Sequence, residues 1–189
     1  MFRYARERFR EDLVNPLQHS RPRISLMVWG MVWQRDDESG MSPLIFCEGD
    51  PDSARKGFTS TRYMEVLEEG LVSLYEAGDL FMQDNARIHR SHAVRDFLES
   101  KGIWTIKWPA YSPDLNPIEQ VWRALKLKIY EIEPRFQYLK DNINDYAYAR
   151  EIIELAWSEL DHGLILKLLK SIPRRIAAVL RARGWYSHY

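Results

Sequence analysis

The sequence predicts a mixed α/β domain in which helices cover a sheet. Three observations predict it. A continuous apolar run, ISLMVWGMVW at 24–33, reads as a strand covered on both faces. Two further short apolar runs, at 80–82 and 103–106, alternate with stretches of helical periodicity. From Ile118 onward, apolar residues recur at helical spacing for most of the remaining chain. The first strands are close enough to form a hairpin and the later ones alternate with helices, so the sheet should be mixed rather than purely parallel.

Each element has a local cause. Residues 1–23 carry six arginines and two prolines and read as a basic lead-in, a weak helix followed by a loop. After the 24–33 strand comes a polar turn, QRDDESG, and then a second short strand at Pro43–Cys47, which predicts an antiparallel hairpin with a longish loop. Ser60 or Thr61 can cap a helix running to about Ala77, with Tyr63, Val66, Leu67, Gly70, Leu71 and Leu74 on its apolar side. Leu80–Met82 reads as a buried strand that stops at Gln83-Asp84-Asn85. Ser91 can cap a helix with Val94, Phe97 and Leu98 inward, and Ile103–Ile106 forms another strand. Three prolines keep WPAYSPDLNP, 108–117, irregular, and the helix after it has a stripe of Ile118, Val121, Trp122, Leu125 and Ile129. Pro134 bounds that helix. Residues 135–147 connect to a helical end with faces at 152–160, 164–169 and 176–180. The organisation is a lead-in at 1–23, a core at 24–134 and a helical extension of the same domain at 135–189.

Composition narrows the function. With 189 residues, 46 % apolar, the chain has room for one compact core. Lys plus Arg equals Asp plus Glu at 27 each, which excludes a wholly basic nucleic-acid binder and leaves room for a local basic patch. The single cysteine, Cys47, excludes a disulfide framework and a cysteine-based zinc site and suits a reducing compartment. No apolar run reaches about 18 residues, so no membrane span is expected. The charged start, MFRYARERFREDL, does not look like a secretory signal. There is no Walker A loop, no G-x-G-x-x-G, no G-x-S-x-G and no H-E-x-x-H, so neither a nucleotide cofactor nor zinc or serine hydrolase chemistry has support.

Two carboxylates stand out. Asp84 sits where an apolar strand runs out, the place where open α/β sheets carry reactive groups, although an Asp-Asn pair also starts turns. Glu119 is three residues past Asn116, with Pro117 between them. A capping box, worth about 1 kcal/mol, would account for it, as would an ion pair with Arg123 four residues on. It also lies at the edge of an apolar stripe, from which it could reach the strand ends. His89, five residues after Asp84, can orient a carboxylate or contact a phosphate, or merely begin a helix.

FMQDNARIH (81–89) followed by WPAYSPDLNPIEQVWRALK (108–126) resembles the DDE catalytic domain of Tc1/mariner-type transposases. The 34 residues between Asp84 and Glu119 match the spacing of the second and third catalytic carboxylates in the Tc1 branch. MVWGMVW (27–33) is similar to the family's central VWG strand, and SIPRRIAAVLRARGWYSHY (171–189) to the terminal helix of fungal-type members, so the resemblance covers roughly 24–189. It implies an RNase H-like fold, metal-dependent DNA cleavage and strand transfer, Mg²⁺ or Mn²⁺ as cofactor, DNA as partner and a nuclear location; a homo-oligomer is a separate expectation, from edge pairing by the long apolar VWG strand. It implies that Asp84 and Glu119 are catalytic and metal-binding, with Asn85, His89 and Asn116 as auxiliary motif residues. The physics agrees, because two divalent cations about 3.5–4 Å apart activate the attacking and leaving oxygens of a phosphodiester and prefer clustered oxygen ligands.

The family's first aspartate precedes the VWG strand on a strand of its own. Asp12 is the sole aspartate before Ile24, and its context, RFREDLVNP, is charged and helical, so the role is not carried onto it. Nor is it carried onto Asp36, Asp37 or Asp50, which follow that strand. The expectation is a truncated transposase domain, lacking the first strand and the helix-turn-helix region, with a depleted metal site and cleavage slowed by roughly 10²–10⁴-fold or more. The competing expectation is a non-catalytic relic that binds nucleic acid or protein. Arg123, Lys126, Arg174, Arg175, Arg181 and Arg183 are the candidate DNA contacts, with Trp185 and Tyr186 as stacking surface, against the plainer reading of an amphipathic helix with a solvated cationic face.

Overall fold

The computed structural model describes residues 24–109, 112 and 115–182. The lead-in at 1–23, including Asp12, and Arg183, Trp185 and Tyr186 lie outside the described residues.

The fold starts from a long hairpin broken into two ladders. β1 (Val28–Trp29) pairs antiparallel with β4 (Ile45–Phe46), and β2 (Val32–Arg35) with β3 (Glu38–Met41). The break has a covalent cause. Pro43 has no N–H to donate to a ladder. Ser42 fills in, its N–H donating to the Met31 carbonyl at 2.8 Å and its Oγ accepting from the Met31 N–H at 2.8 Å. The connection is tighter than the sequence suggested. Arg35 pairs with Glu38, so Asp36 and Asp37 alone make the turn, with Asp36 at φ 49°. Asp tolerates this left-handed conformation better than most residues. The polar residues on either side, Gln34 and Arg35 before it and Glu38 to Gly40 after it, are strand.

The apolar run is covered on both faces, as its composition predicts. Val28 and Val32 pack with a cluster built on α3 (Pro117–Ile132), α4 (Ile143–Ser158) and α5 (His162–Lys170). Trp29 and Met31 pack with a second cluster on α1 (Ser60–Leu67), α2 (His92–Ser100), Phe81 and Ile103. Gly30, at the kink between β1 and β2, is where the chain passes under the stacked pair Trp122 and Trp157, whose centroids are 5.4 Å apart. A Cβ there would lie 2.9 Å from the Trp157 ring.

α1 is capped by Thr59 rather than Ser60 or Thr61. The Thr59 side chain accepts from the Arg62 N–H, and its own hydroxyl donates to Asp50 at 2.7 Å. The helix does not run regularly to Ala77 but loosens into a π-helical turn at Glu68–Val72. That turn contains Gly70, where an added Cβ would collide with the Trp29 ring. The predicted strands at 80–82 and 103–106 reduce to one parallel bridge between Phe81 and Thr105, held by Phe81 N–H to Trp104 O at 2.7 Å and Ile106 N–H to Phe81 O at 2.9 Å. Antiparallel ladders plus a parallel bridge make the mixed arrangement expected. Ser91 caps α2 as read, its Oγ accepting from Val94.

The last described helix, α6 (Ile172–Arg181), departs from the inward face at 176–180 that its sequence predicts. Ile176 and Leu180 are 42 % and 72 % exposed, so its apolar face is only partly covered. Arg175 is the buried residue instead, 4 % exposed, with Nε donating to Ser171 Oγ at 2.7 Å. No described helix is long and apolar enough to cross a membrane.

Candidate functional site

A cavity of about 700 Å³ opens between the 27–36 strand run and the chain segment 80–84. Among the described residues, β1 and β2 are each paired on one side only, and no strand lies between them and Phe81. Asp84 and Glu119 both line this cavity.

Asp84 follows the Phe81 bridge by three residues, so the bridge fixes where its backbone emerges. Its Oδ1 accepts from the Ala86 N–H at 2.9 Å and lies 2.7 Å from His89 Nδ1. The first contact is the turn chemistry that an Asp-Asn pair suggested; the second is the orienting histidine. Oδ2 has no hydrogen bond among the described residues, and the side chain is 59 % exposed. Asn85 points the other way. Its Nδ2 donates to the Trp108 carbonyl at 2.8 Å, tying the strand end to the loop that leads to α3.

Glu119 arrives from that helix. Asn116, 7 % exposed, is the N-cap, its Oδ1 accepting from the Ile118 N–H at 3.3 Å, and Pro117 occupies the first turn. The cap therefore forms, but Glu119 does not complete a capping box. Its carboxylate makes no hydrogen bond or ion pair among the described residues, with Arg123 or otherwise, and it is exposed. The two ordinary explanations for this residue are not realised, and its acidic group is left facing the cavity.

Two residues behind the carboxylates went unread in the sequence. Tyr63, 2 % exposed, donates its hydroxyl to Gln83 Oε1 at 2.7 Å, and its ring stacks on His89 at 4.4 Å and 29°. Burial pushes its phenol well above the usual tyrosine range, which keeps it a donor. The only signal for Tyr63 was its place on an apolar helical stripe, where a tyrosine reads as core. Gln83 was visible as the neighbour of Asp84, without a partner to give it meaning.

Of the basic residues, Arg123 and Lys126 stand exposed on α3, and Arg174 and Arg181 on α6. Arg175 corrects its reading. Buried against Ser171, it does not offer its guanidinium at the surface. Arg183 lies outside the described residues.

Both carboxylates line the same cavity, and hard oxygen donors of this kind are what Mg²⁺ or Mn²⁺ prefers. Among the described residues no three His, Cys, Asp or Glu side chains gather into a metal-binding group.

The family model described as "DDE superfamily endonuclease" matches residues 54–143, the stretch that holds both carboxylates. The chain carries a Tc1/mariner-type DDE transposase catalytic domain. The Tc3 transposase of Caenorhabditis elegans is 36 % identical over 132 residues, 66 % of this chain and 37 % of that protein. The Tcb1 transposase of Caenorhabditis briggsae is 30 % identical over 169 residues, 87 % of this chain and 55 % of that protein. The chain thus spans about a third to about half the length of these Tc1/mariner relatives. In fold it resembles the catalytic domain of Mos1 mariner transposase, with TM-score 0.57, 19 % identity, and 85 % of this chain and 83 % of that one covered. A pre-cleavage Mos1 transpososome gives 0.63 at 19 % identity, over 93 % of this chain and 51 % of that one. Mos1 structures with Mn and with Mg, and a paired-end complex, are similar as well. The fold is RNase H-like.

Proposed function

We propose that this domain acts on the DNA backbone, with Asp84 and Glu119 as its catalytic carboxylates and a Mg²⁺ or Mn²⁺ ion as cofactor. The observation that carries the reading is that these two side chains, from a strand end and from a helix, line one cavity, while Glu119 makes no hydrogen bond or ion pair among the described residues. The transposase relatives and the metal-containing Mos1 structures support it. The chemistry such a cation supplies is Lewis-acid activation of a phosphodiester and of the attacking hydroxyl. His89 donates from Nδ1 to Asp84 Oδ1 and leaves Oδ2 outward. Asn85 holds the loop before α3 against the strand end and so sets where Glu119 stands. Arg123 and Lys126, on the same helix as Glu119, supply exposed positive charge for phosphates.

The 189-residue chain by itself is proposed to be inactive or nearly so in cleavage. Two carboxylates bring two negative charges to a reaction that uses two divalent cations, and among the described residues no third acidic group joins them. The missing stabilisation amounts to several kcal/mol, or roughly 10²–10⁴-fold in rate.

Titrating the purified chain with Mn²⁺ and following paramagnetic broadening of its amide signals tests the site. Broadening should centre on residues around Asp84 and Glu119 and disappear in both Asp84→Ala and Glu119→Ala. Broadening elsewhere, or unchanged in the variants, would remove the metal assignment. Nicking of supercoiled plasmid in Mg²⁺ tests the activity. Robust nicking that Asp84→Ala abolishes would overturn the inactivity of the isolated chain.

A further inference from the structure

We propose that Tyr63 is a positioning residue for the Asp84 carboxylate, reaching it by two arms from a single buried ring. One arm is the stack on His89, at 4.4 Å and 29°, with His89 Nδ1 in turn 2.7 Å from Asp84 Oδ1. The other is the hydroxyl, which donates at 2.7 Å to Gln83, the residue covalently before Asp84. A tyrosine needed only to fill space could have paired its hydroxyl anywhere. This one is paired to the neighbour of the acid, while its face supports the imidazole that the acid contacts.

The physical case is one of locked freedom. Asp84 is 59 % exposed, and apart from the Ala86 N–H of its own turn, at 2.9 Å, its carboxylate is held by His89. His89 is 19 % exposed, and a stacked ring cannot turn about its χ2 without losing the face-to-face contact. With the ring held, Nδ1 stays 2.7 Å from Oδ1, where a carboxylate favours the proton on Nδ1, and Oδ2 keeps no hydrogen bond among the described residues. An outer partner that fixes a ligand in this way typically changes metal affinity by 10- to 100-fold. The functional meaning rests on Asp84 holding a cation, as proposed above. The positioning itself does not, and the two are measured separately.

The test is nitrogen-15 NMR of the metal-free chain. The wild-type His89 ring should show two well-separated nitrogen signals, with the proton on Nδ1, and ring protons shifted upfield by the Tyr63 face. Tyr63→Leu should collapse the nitrogen signals toward an averaged pair and remove the upfield shift, while Tyr63→Phe, which keeps the face, should retain both. A His89 signature unchanged in Tyr63→Leu overturns the proposal. So does a wild-type His89 with averaged signals and no upfield shift, which decides the matter even where Tyr63→Leu does not fold. Mn²⁺ titration then reads the function. About tenfold weaker binding in Tyr63→Leu supports the role at the metal site. Wild-type protein that keeps the His89 signature yet binds no Mn²⁺ near Asp84 removes the metal reading and upholds the positioning.

Discussion

At the scale of single residues, burial and pairing separate the groups that hold the protein together from those left available for chemistry. Arg35 belongs to the first kind. Its Nη2 donates to Asp79 Oδ2 at 2.6 Å and its Nη1 lies 2.7 Å from Glu76, which ties β2 to the segment before Phe81. The guanidinium's hydrogen bond holds the Asp79 carboxyl below its ordinary range. A carboxyl depressed in the folded state adds stability above its unfolded pKa of about 3.9, and that stability is lost as pH falls through the lower folded value. Urea unfolding between pH 7 and pH 2 should show this loss below about pH 4. Asp79→Asn should flatten that part of the profile and cost about 1–2 kcal/mol at pH 7, with both partners mostly covered. That Asp84 and Glu119 line one cavity was foreshadowed by their place at the end of an apolar run and at the start of a helix. Tyr63 was not, since an aromatic residue on an apolar stripe looks the same whether or not its hydroxyl has a task. Arg175 was misread for a similar reason. Neighbouring arginines on a helix differ by about 100° in direction, and sequence alone does not show which of the two turns inward.

At the scale of elements, helix starts were the most legible feature. Ser91 and Asn116 cap where their side chains predict, because capping is local and satisfies N–H groups that have no other partner. The strands were less so. The 80–82 and 103–106 runs have the composition of strands, but among the described residues their pairing is confined to the single bridge between Phe81 and Thr105. The hairpin turn was read as long because QR and ESG are polar, whereas pairing uses the backbone and tolerates polar residues on an edge. Gly30 is the element-scale residue whose replacement should be felt most. A methyl there meets the Trp157 ring at 2.9 Å, and that ring is held by its Nε1 donating to the Ser42 carbonyl at 2.9 Å. Gly30→Ala should therefore lower stability by about 1–3 kcal/mol, read as a reduced denaturant midpoint with an altered tryptophan fluorescence baseline. A variant as stable as the parent would show that the indole pair has room to shift.

For the whole molecule, a net charge of zero hides a local bias, with exposed Arg123 and Lys126 on the helix that also presents Glu119. Binding to a short DNA duplex should weaken steeply with salt, and Arg123→Ala with Lys126→Ala should reduce the slope of log affinity against log salt by about 2. Fluorescence anisotropy between 50 and 200 mM salt measures it, and a slope unchanged in the double variant would take these residues out of the DNA contact. The overall α/β class could be read from the alternation of patterns along the chain. The way the 37–48 stretch meets the 150–170 stretch could not, because it depends on contacts with no local signature. Trp157 with Ser42, Arg150 with Glu48 at 3.0 Å and Lys170 with Asp37 at 2.7 Å join residues 102 to 133 positions apart. These ties bear on how the protein is made. A ribosome releases the hairpin before the helices that cover one of its faces, which lie more than 70 positions further along the chain. Until those helices emerge the indole-rich strands lack that cover, so the hairpin is expected to settle only after α3 to α5 have left the ribosome and to invite chaperone capture in the interval.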